Sequence, residues 1–206
     1  MSMGEYGEDY TRYQLERSGF RKAVRRIYLQ SAASQLKGPT VDLGCGVGEL
    51  LFRLPDGSIG LDINPASVAH CHRRGLEAHV YDGESDAWSL GPLHGRTDLQ
   101  SLVVSHVLEH LDEPMDKLTR LLEACSRLGI QRVLVIVPGR RGFASDATHR
   151  TFIDAAMLSA PSVTGTTGFS LTSTRHFPIN IAQVSRFFTH LELQAVFDRR
   201  SVAVPT

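Results

Sequence analysis

Val41-Asp42-Leu43-Gly44-Cys45-Gly46-Val47-Gly48-Glu49-Leu50 decides the fold. A short apolar run contains an acid, and glycines then stand at 44, 46 and 48. This is the pattern of a buried parallel strand breaking into a tight turn before a helix. Glycine reaches positive φ without strain, and its missing side chain lets a ligand lie against the main chain. N–H groups at the start of a following helix hold negative charge. The turn therefore reads as the seat of a cofactor. Its spacing is G-x-G-x-G, with Glu49 where a dinucleotide fingerprint needs its third glycine. The Gly-Lys-Ser/Thr ending of a phosphate-binding P-loop is absent.

The flanking segments extend the reading. Ser58-Ile59-Gly60-Leu61-Asp62-Ile63 is a short second strand ending in an acid. Asp62 follows Asp42 by about 20 residues, the interval at which such an acid meets a ribose. A carboxylate offers two acceptor oxygens and no donor, which suits a pair of hydroxyls. The plainer alternative is that Asp62 caps the helix beginning at Asn64-Pro65. Further on, Leu102-Val103-Val104-Ser105-His106-Val107 reads as a buried strand turning polar, followed by Leu108-Glu109-His110-Leu111-Asp112-Glu113-Pro114.

Together these segments resemble the class I S-adenosylmethionine-dependent methyltransferases. The Asp-Leu-Gly-Cys-Gly-x-Gly turn is similar to the family's first motif. The Leu-Glu-His-Leu segment before Asp-x-Pro is similar to that of its small-molecule branch. The three segments fall between residues 41 and 114 of the 206. The resemblance implies S-adenosylmethionine as cofactor and S-adenosylhomocysteine as product; methyl transfer as a direct displacement does not intrinsically require a metal, and none is expected. It implies that Asp42, Gly44 and Gly46 hold the methionine part, with Cys45 a further cofactor-binding residue of the same turn. Asp62 and Ile63 would hold the ribose and adenosine. Asp82 and Gly83, at the end of the third strand, would lie near the adenine amine, although Asp-Gly also simply makes turns.

Strands are expected at about 40–45, 58–63, 77–81, 99–105 and 132–137, with Phe169–Phe177 and Leu191–Phe197 as the sixth and seventh. Helical spacing marks 11–36, the segment after Asn64-Pro65, Met115 to Leu128, 154–160 and 181–190, with a loop over 139–153. This alternation predicts an α/β fold: a Rossmann-like, mostly parallel seven-stranded sheet with helices on both faces. The resemblance makes the last strand antiparallel. Residues 1–36 read as an N-terminal helical cap and 37–206 as one globular cofactor-binding domain. In such sheets ligands bind beyond the carboxyl ends of the strands. That puts Gly44, Asp62, Asp82, Ser105 and Pro138 on one rim.

Lys plus Arg total 22 and Asp plus Glu total 22, so the formal charge is zero and no global field favours nucleic acid or membrane. No apolar run approaches the ~18 residues of a membrane span, and no signal-peptide core is evident. The expected location is the cytoplasm. Cys45, Cys71 and Cys125 form no C-x-x-C pair and read as reduced structural thiols.

Methyl transfer to oxygen or nitrogen needs alignment, and a base where the acceptor carries a proton. Histidine is the default proton acceptor near neutral pH. His149, in the Asp146-Ala147-Thr148-His149-Arg150-Thr151-Phe152 stretch after the fifth strand, is the first candidate. His106, following Ser105, is the second. His110 reads as orienting the turn with Glu109, and His176 is a further candidate. Arg140, Arg141 and the basic face formed by Arg17, Arg21, Lys22, Arg25 and Arg26 fit an anionic acceptor, or are solvated surface. The expected acceptor is a small hydroxylated molecule, a sugar or natural-product intermediate. N-methylation, a nicotinamide-dependent oxidoreductase and a non-catalytic cofactor-binding partner protein stand as alternatives.

Overall fold

The computed structural model describes residues 19–181 and 188–200. Helix α1 (Gly19–Ala33) leads into strand β1 (Thr40–Leu43). Then come β2 (Ile59–Asp62), α2 (Pro65–Arg73), β3 (Ala78–Val80), β4 (Ser101–Ser105) and α3 (Pro114–Arg127). After β5 (Arg132–Pro138) lie three short helices, α4 (Arg140–Ala144), α5 (Ala155–Leu158) and α6 (Pro161–Thr164). Strands β6 (Phe169–Phe177) and β7 (Glu192–Arg199) complete one seven-stranded sheet in the order β3-β2-β1-β4-β5-β7-β6. Strands β1 to β5 pair in parallel, and β7 runs antiparallel to both β5 and β6. The strand order reverses at β1 and β4, so a crevice opens beyond their carboxyl ends.

Side chains alternate faces along each strand. Val41, Leu43, Leu102, Val104, Val133, Val135 and Val137 join a core with Leu118, Leu121, Leu122 and Cys125 of α3. Val103, Leu134 and Ile136 face the other way and pack with Ala32 and Leu29 of α1. Asp42 is in register with Val103, so it shares the α1 face. Helix α2 starts where Asn64 accepts a hydrogen bond from the Ala66 N–H at 3.0 Å, with Pro65 at the first helical position. Helix α3 buries a stripe at 118, 121, 122 and 125. It stops at Gly129, whose φ of +79° lets the Ile130 N–H return to the Cys125 carbonyl at 3.0 Å.

Three details differ from the expectations. The helix expected after the glycine turn shrinks to a 3-10 turn at Leu51–Arg53, because Pro55 disfavours helical backbone at Leu54, which is extended at ψ 157°. The loop expected over 139–153 includes α4, and α6 is added after α5. The helices expected at 11–36 and 181–190 lie partly outside the described residues, and 189–190 is a turn. Among the described residues no helix is long and apolar enough to cross a membrane.

Candidate functional site

The ends of β1, β2 and β4 and the turn after β3 surround one cleft. Its walls include Gly44, Gly46, Asp62, Ile63, Asp82, Gly83, Trp88, His106, Val107 and His110. The main chain at Gly44 has φ +78°, and a Cβ there would come within 2.3 Å of Val107 Cγ2. Glycine is thus required both for the turn and for the close approach of the β4 segment. The Gly44 N–H donates to the Leu61 carbonyl at 2.7 Å, binding the turn to β2.

Asp62 receives the Gly46 N–H on Oδ2 at 2.7 Å and the Asn64 N–H on Oδ1 at 2.8 Å. Each oxygen keeps a further lone pair for a ligand. Burial raises the Asp62 carboxyl above its ordinary range, and these two N–H donors oppose the rise. The capping side chain of α2 is Asn64.

Asp42 is buried behind the turn, 3 % exposed, and its Oδ2 has no hydrogen-bond partner. Burial pushes its carboxyl up to about 7, with the Asp62 charge adding to the rise. Arg25 on α1 and the Leu51 N–H act in the opposite direction. The Arg25 guanidinium contacts the Glu49 carboxylate directly, tying α1 to the glycine turn. Cys45 is buried beside Val68, Cys71 and Ala78. Ser105 is half-buried at the end of β4. Asp82 accepts from the Glu84 N–H at 3.0 Å, holding its own turn. Gly83 lies so close to Trp88 that a Cβ would meet the indole at 2.6 Å.

His106 adopts φ +55° just past β4. Its Nδ1 lies 3.1 Å from Glu109 Oε1 and its Nε2 2.9 Å from Glu192 Oε1. Burial would lower the imidazole, but the two carboxylates outweigh it and push the group up to about 10. The two carboxylates favour the charged imidazolium, in which both ring nitrogens donate and no lone pair is free. His149 sits outside the cleft wall, its side chain 8 % exposed. Its Nδ1 is 2.9 Å from the Phe143 carbonyl, and its ring stacks on Phe143 and meets His110 edge-on, with centroids 5.3 and 4.8 Å apart. The Arg150 and Thr151 N–H groups both donate to the Glu109 carbonyl, at 2.8 and 3.1 Å. The Leu-Glu-His-Leu segment and the loop after β5 are therefore one structure. Arg140 stacks over Phe152 at 4.7 Å, and Arg141 is exposed. His176 is on the edge strand β6.

Searches against protein-family models and curated proteins return no match. Solved structures do match. A methyltransferase described as S-adenosylmethionine-dependent, from Archaeoglobus fulgidus, superposes with a TM-score of 0.65 at 18% identity, covering 93% of this chain and 100% of that one. Magnesium protoporphyrin IX methyltransferase from Synechocystis PCC 6803, with bound S-adenosylhomocysteine, gives 0.67 at 13% identity over 96% and 98% of the two chains. The chain has the class I S-adenosylmethionine-dependent methyltransferase fold. The [4+2]-cyclase SpnF shares this methyltransferase fold, with a TM-score of 0.60 at 16% identity over 91% of this chain and 84% of that one. The fold thus fixes the architecture and leaves the reaction to the site.

The sequence motifs pointed to no role for Glu192, which opens β7 and reaches His106 across the sheet. Only the antiparallel pairing of β5 with β7, which places Glu192 opposite Pro138, brings it there. Trp88, the one tryptophan of the sequence, is buried and also lines the cleft.

Proposed function

We propose that the protein is an S-adenosylmethionine-dependent methyltransferase acting on a small-molecule acceptor, through a hydroxyl of a sugar or natural-product intermediate. The observation that carries this reading is the pair of carboxylates around the glycine turn. Asp62 keeps one open lone pair on each oxygen, the arrangement two ribose hydroxyls need. Asp42 Oδ2 is buried and unpartnered, the arrangement an ammonium donor needs. The residues present therefore fit the cofactor. Gly44 and Gly46 let its methionine part approach the main chain, and Ile63 with Trp88 offers apolar contact for its base. When bound, the cofactor supplies an electrophilic methyl on a sulfonium.

The chain's part is to align the acceptor and manage a proton. His106 carries its proton already, so it suits charge stabilisation or donation at the rim. His149 keeps a lone pair on Nε2, because its Nδ1 faces a carbonyl, and is the better proton acceptor. Buried free cysteines suit a reducing cytoplasm. A second reading, a cofactor-binding protein of other chemistry, is supported by the cyclase that shares the fold.

Calorimetric titration with S-adenosylmethionine, S-adenosylhomocysteine and NAD tests the cofactor claim. Micromolar binding of the two sulfur ligands and none of NAD is expected. An acceptor screen with plain and phosphorylated sugars follows. Absence of binding by either sulfur ligand would sink the proposal.

A further inference from the structure

Glu109 is an anomaly within the site. The residue is fully buried. Its Oε1 faces the His106 Nδ1, while its Oε2 has no hydrogen-bond partner. An unpaired buried carboxylate oxygen is costly and implies a missing cation or donor. Two histidines stand beside it. One ring nitrogen from each of His110 and His149 and a carboxylate oxygen of Glu109 lie within 4.8 Å of one another.

The surroundings set the tautomers. The His149 Nδ1 faces the Phe143 carbonyl at 2.9 Å, so the proton belongs there and Nε2 holds the lone pair. That Nε2 is 4.0 Å from Glu109 Oε1. The His110 Nδ1 lies 3.3 Å from the Thr148 carbonyl and 3.2 Å from Thr148 Oγ1. The Thr148 hydroxyl gives its own proton to Asp146 Oδ1 at 2.7 Å, so it accepts from His110. Both imidazoles thus have Nδ1–H anchored on an oxygen and Nε2 unprotonated, the outer arrangement that orients metal-binding histidines.

We propose that Glu109, His110 and His149 bind one divalent first-row transition cation. Two imidazoles and one carboxylate select such a cation over magnesium or calcium, which prefer oxygen sets. Three protein ligands leave coordination positions open, the pattern of a catalytic rather than a structural site. His110 also lines the cleft, so those positions are reachable from it. Ligand atoms around a tetrahedral cation at ~2.1 Å stand about 3.4 Å apart, so binding closes the cluster by roughly 1 Å of side-chain movement. A hydroxyl oxygen held there loses proton affinity. That last consequence rests on the methyltransferase reading, whereas cation binding does not. The same His149 lone pair cannot both ligate a cation and accept a proton, so the proposal competes with His149 as base.

The test is titration of chelator-stripped full-length protein with Co²⁺, read by visible absorption. One equivalent is expected to give the intense bands of a low-coordinate site, and Zn²⁺ to displace it. His110→Ala, His149→Ala and Glu109→Gln should each weaken binding by roughly 10- to 100-fold or more. His94→Ala, an exposed control, should leave it unchanged. Circular dichroism of each variant checks folding, and Glu109→Gln keeps the side-chain shape should an alanine variant unfold. Calorimetric binding of S-adenosylmethionine by the stripped protein is measured in parallel, so loss of the cofactor reading is seen separately. Absorption no different from aqueous Co²⁺, or equal binding by wild type and His149→Ala, would overturn the proposal.

Discussion

Asp42→Asn isolates the electrostatic cost built into the glycine turn. The Asp42 carboxyl rises from an ordinary 3.8 to about 7 on folding, chiefly through burial. A carboxyl raised in the folded state favours the protonated form, so the folded protein holds its proton more tightly than the unfolded chain. The linked destabilisation is absent below the unfolded value, grows as pH rises and is complete above about 7. At 1.36 kcal/mol per decade the full penalty is roughly 4 kcal/mol. Between pH 5 and pH 8 the part still developing is roughly 2–3 kcal/mol. His106, raised to about 10, gives stability that is full below its unfolded value and declines as pH climbs through 10, so it slopes the same way above about 6.5. The useful quantity is therefore the difference between wild type and Asp42→Asn, in which His106 cancels. Asparagine removes the charge and leaves an unpartnered amide N–H costing about 1–3 kcal/mol. Urea unfolding of the ligand-free proteins at pH 5 and pH 8 is the assay. The variant is expected to gain roughly 2–3 kcal/mol on wild type between the two, and to be the more stable at pH 8. It should also bind S-adenosylmethionine more weakly at pH 8, having lost the partner of the ammonium. Parallel stability curves for the two proteins would refute the claim that burial raises the Asp42 carboxyl in the ligand-free fold.

Asp62→Ala removes two oxygens that ribose hydroxyls would use and should weaken S-adenosylmethionine binding by roughly 1.5–3 kcal/mol in calorimetry, with unchanged affinity rejecting the ribose role. Gly44→Ala places a Cβ 2.3 Å from Val107 Cγ2 at φ +78°, so a loss of about 1–3 kcal/mol in urea unfolding is expected, and Gly44→Ala/Val107→Ala should recover part of it. Wild-type stability in the single variant would show that the turn relaxes freely.

The parallel part of the sheet was legible because it is local. Val41 to Leu43, Leu102 to Val104 and Val133 to Val137 are apolar runs ended by glycine, polar residues or proline, and each forms a strand where expected. The acids were legible for the same reason, since Asp42 and Asp62 sit at strand ends in fixed relation to the turn. The glycine turn misled in one respect. It announced a helix that Pro55 cuts to three residues, Leu51–Arg53, and the proline was there to be weighed. The surroundings of the histidines were not legible. His106, Glu109 and Glu192 meet through contacts that span up to 86 residues, which no spacing rule encodes. Sequence position ranked His149 before His106 as a base without showing that His106 lies between two carboxylates and His149 is anchored on a carbonyl.

The charges also discriminate between cofactor classes more firmly than the motif does. A dinucleotide brings a pyrophosphate to the glycine turn, and a helix N-terminus there normally receives it. In this chain the turn is followed by a three-residue 3-10 segment with little dipole to offer. Behind it stands Asp42, beside it Asp62, and each raises the cost of negative charge, as the effect of Asp62 on Asp42 shows. Glu49, in the place of the third fingerprint glycine, adds a carboxylate that Arg25 neutralises. A doubly negative ligand would add repulsion to a site already short of cations. A ligand carrying an ammonium and a sulfonium relieves it. The electrostatics thus favour a cationic cofactor on grounds independent of the glycine spacing, and the same grounds require NAD to fail in the titration.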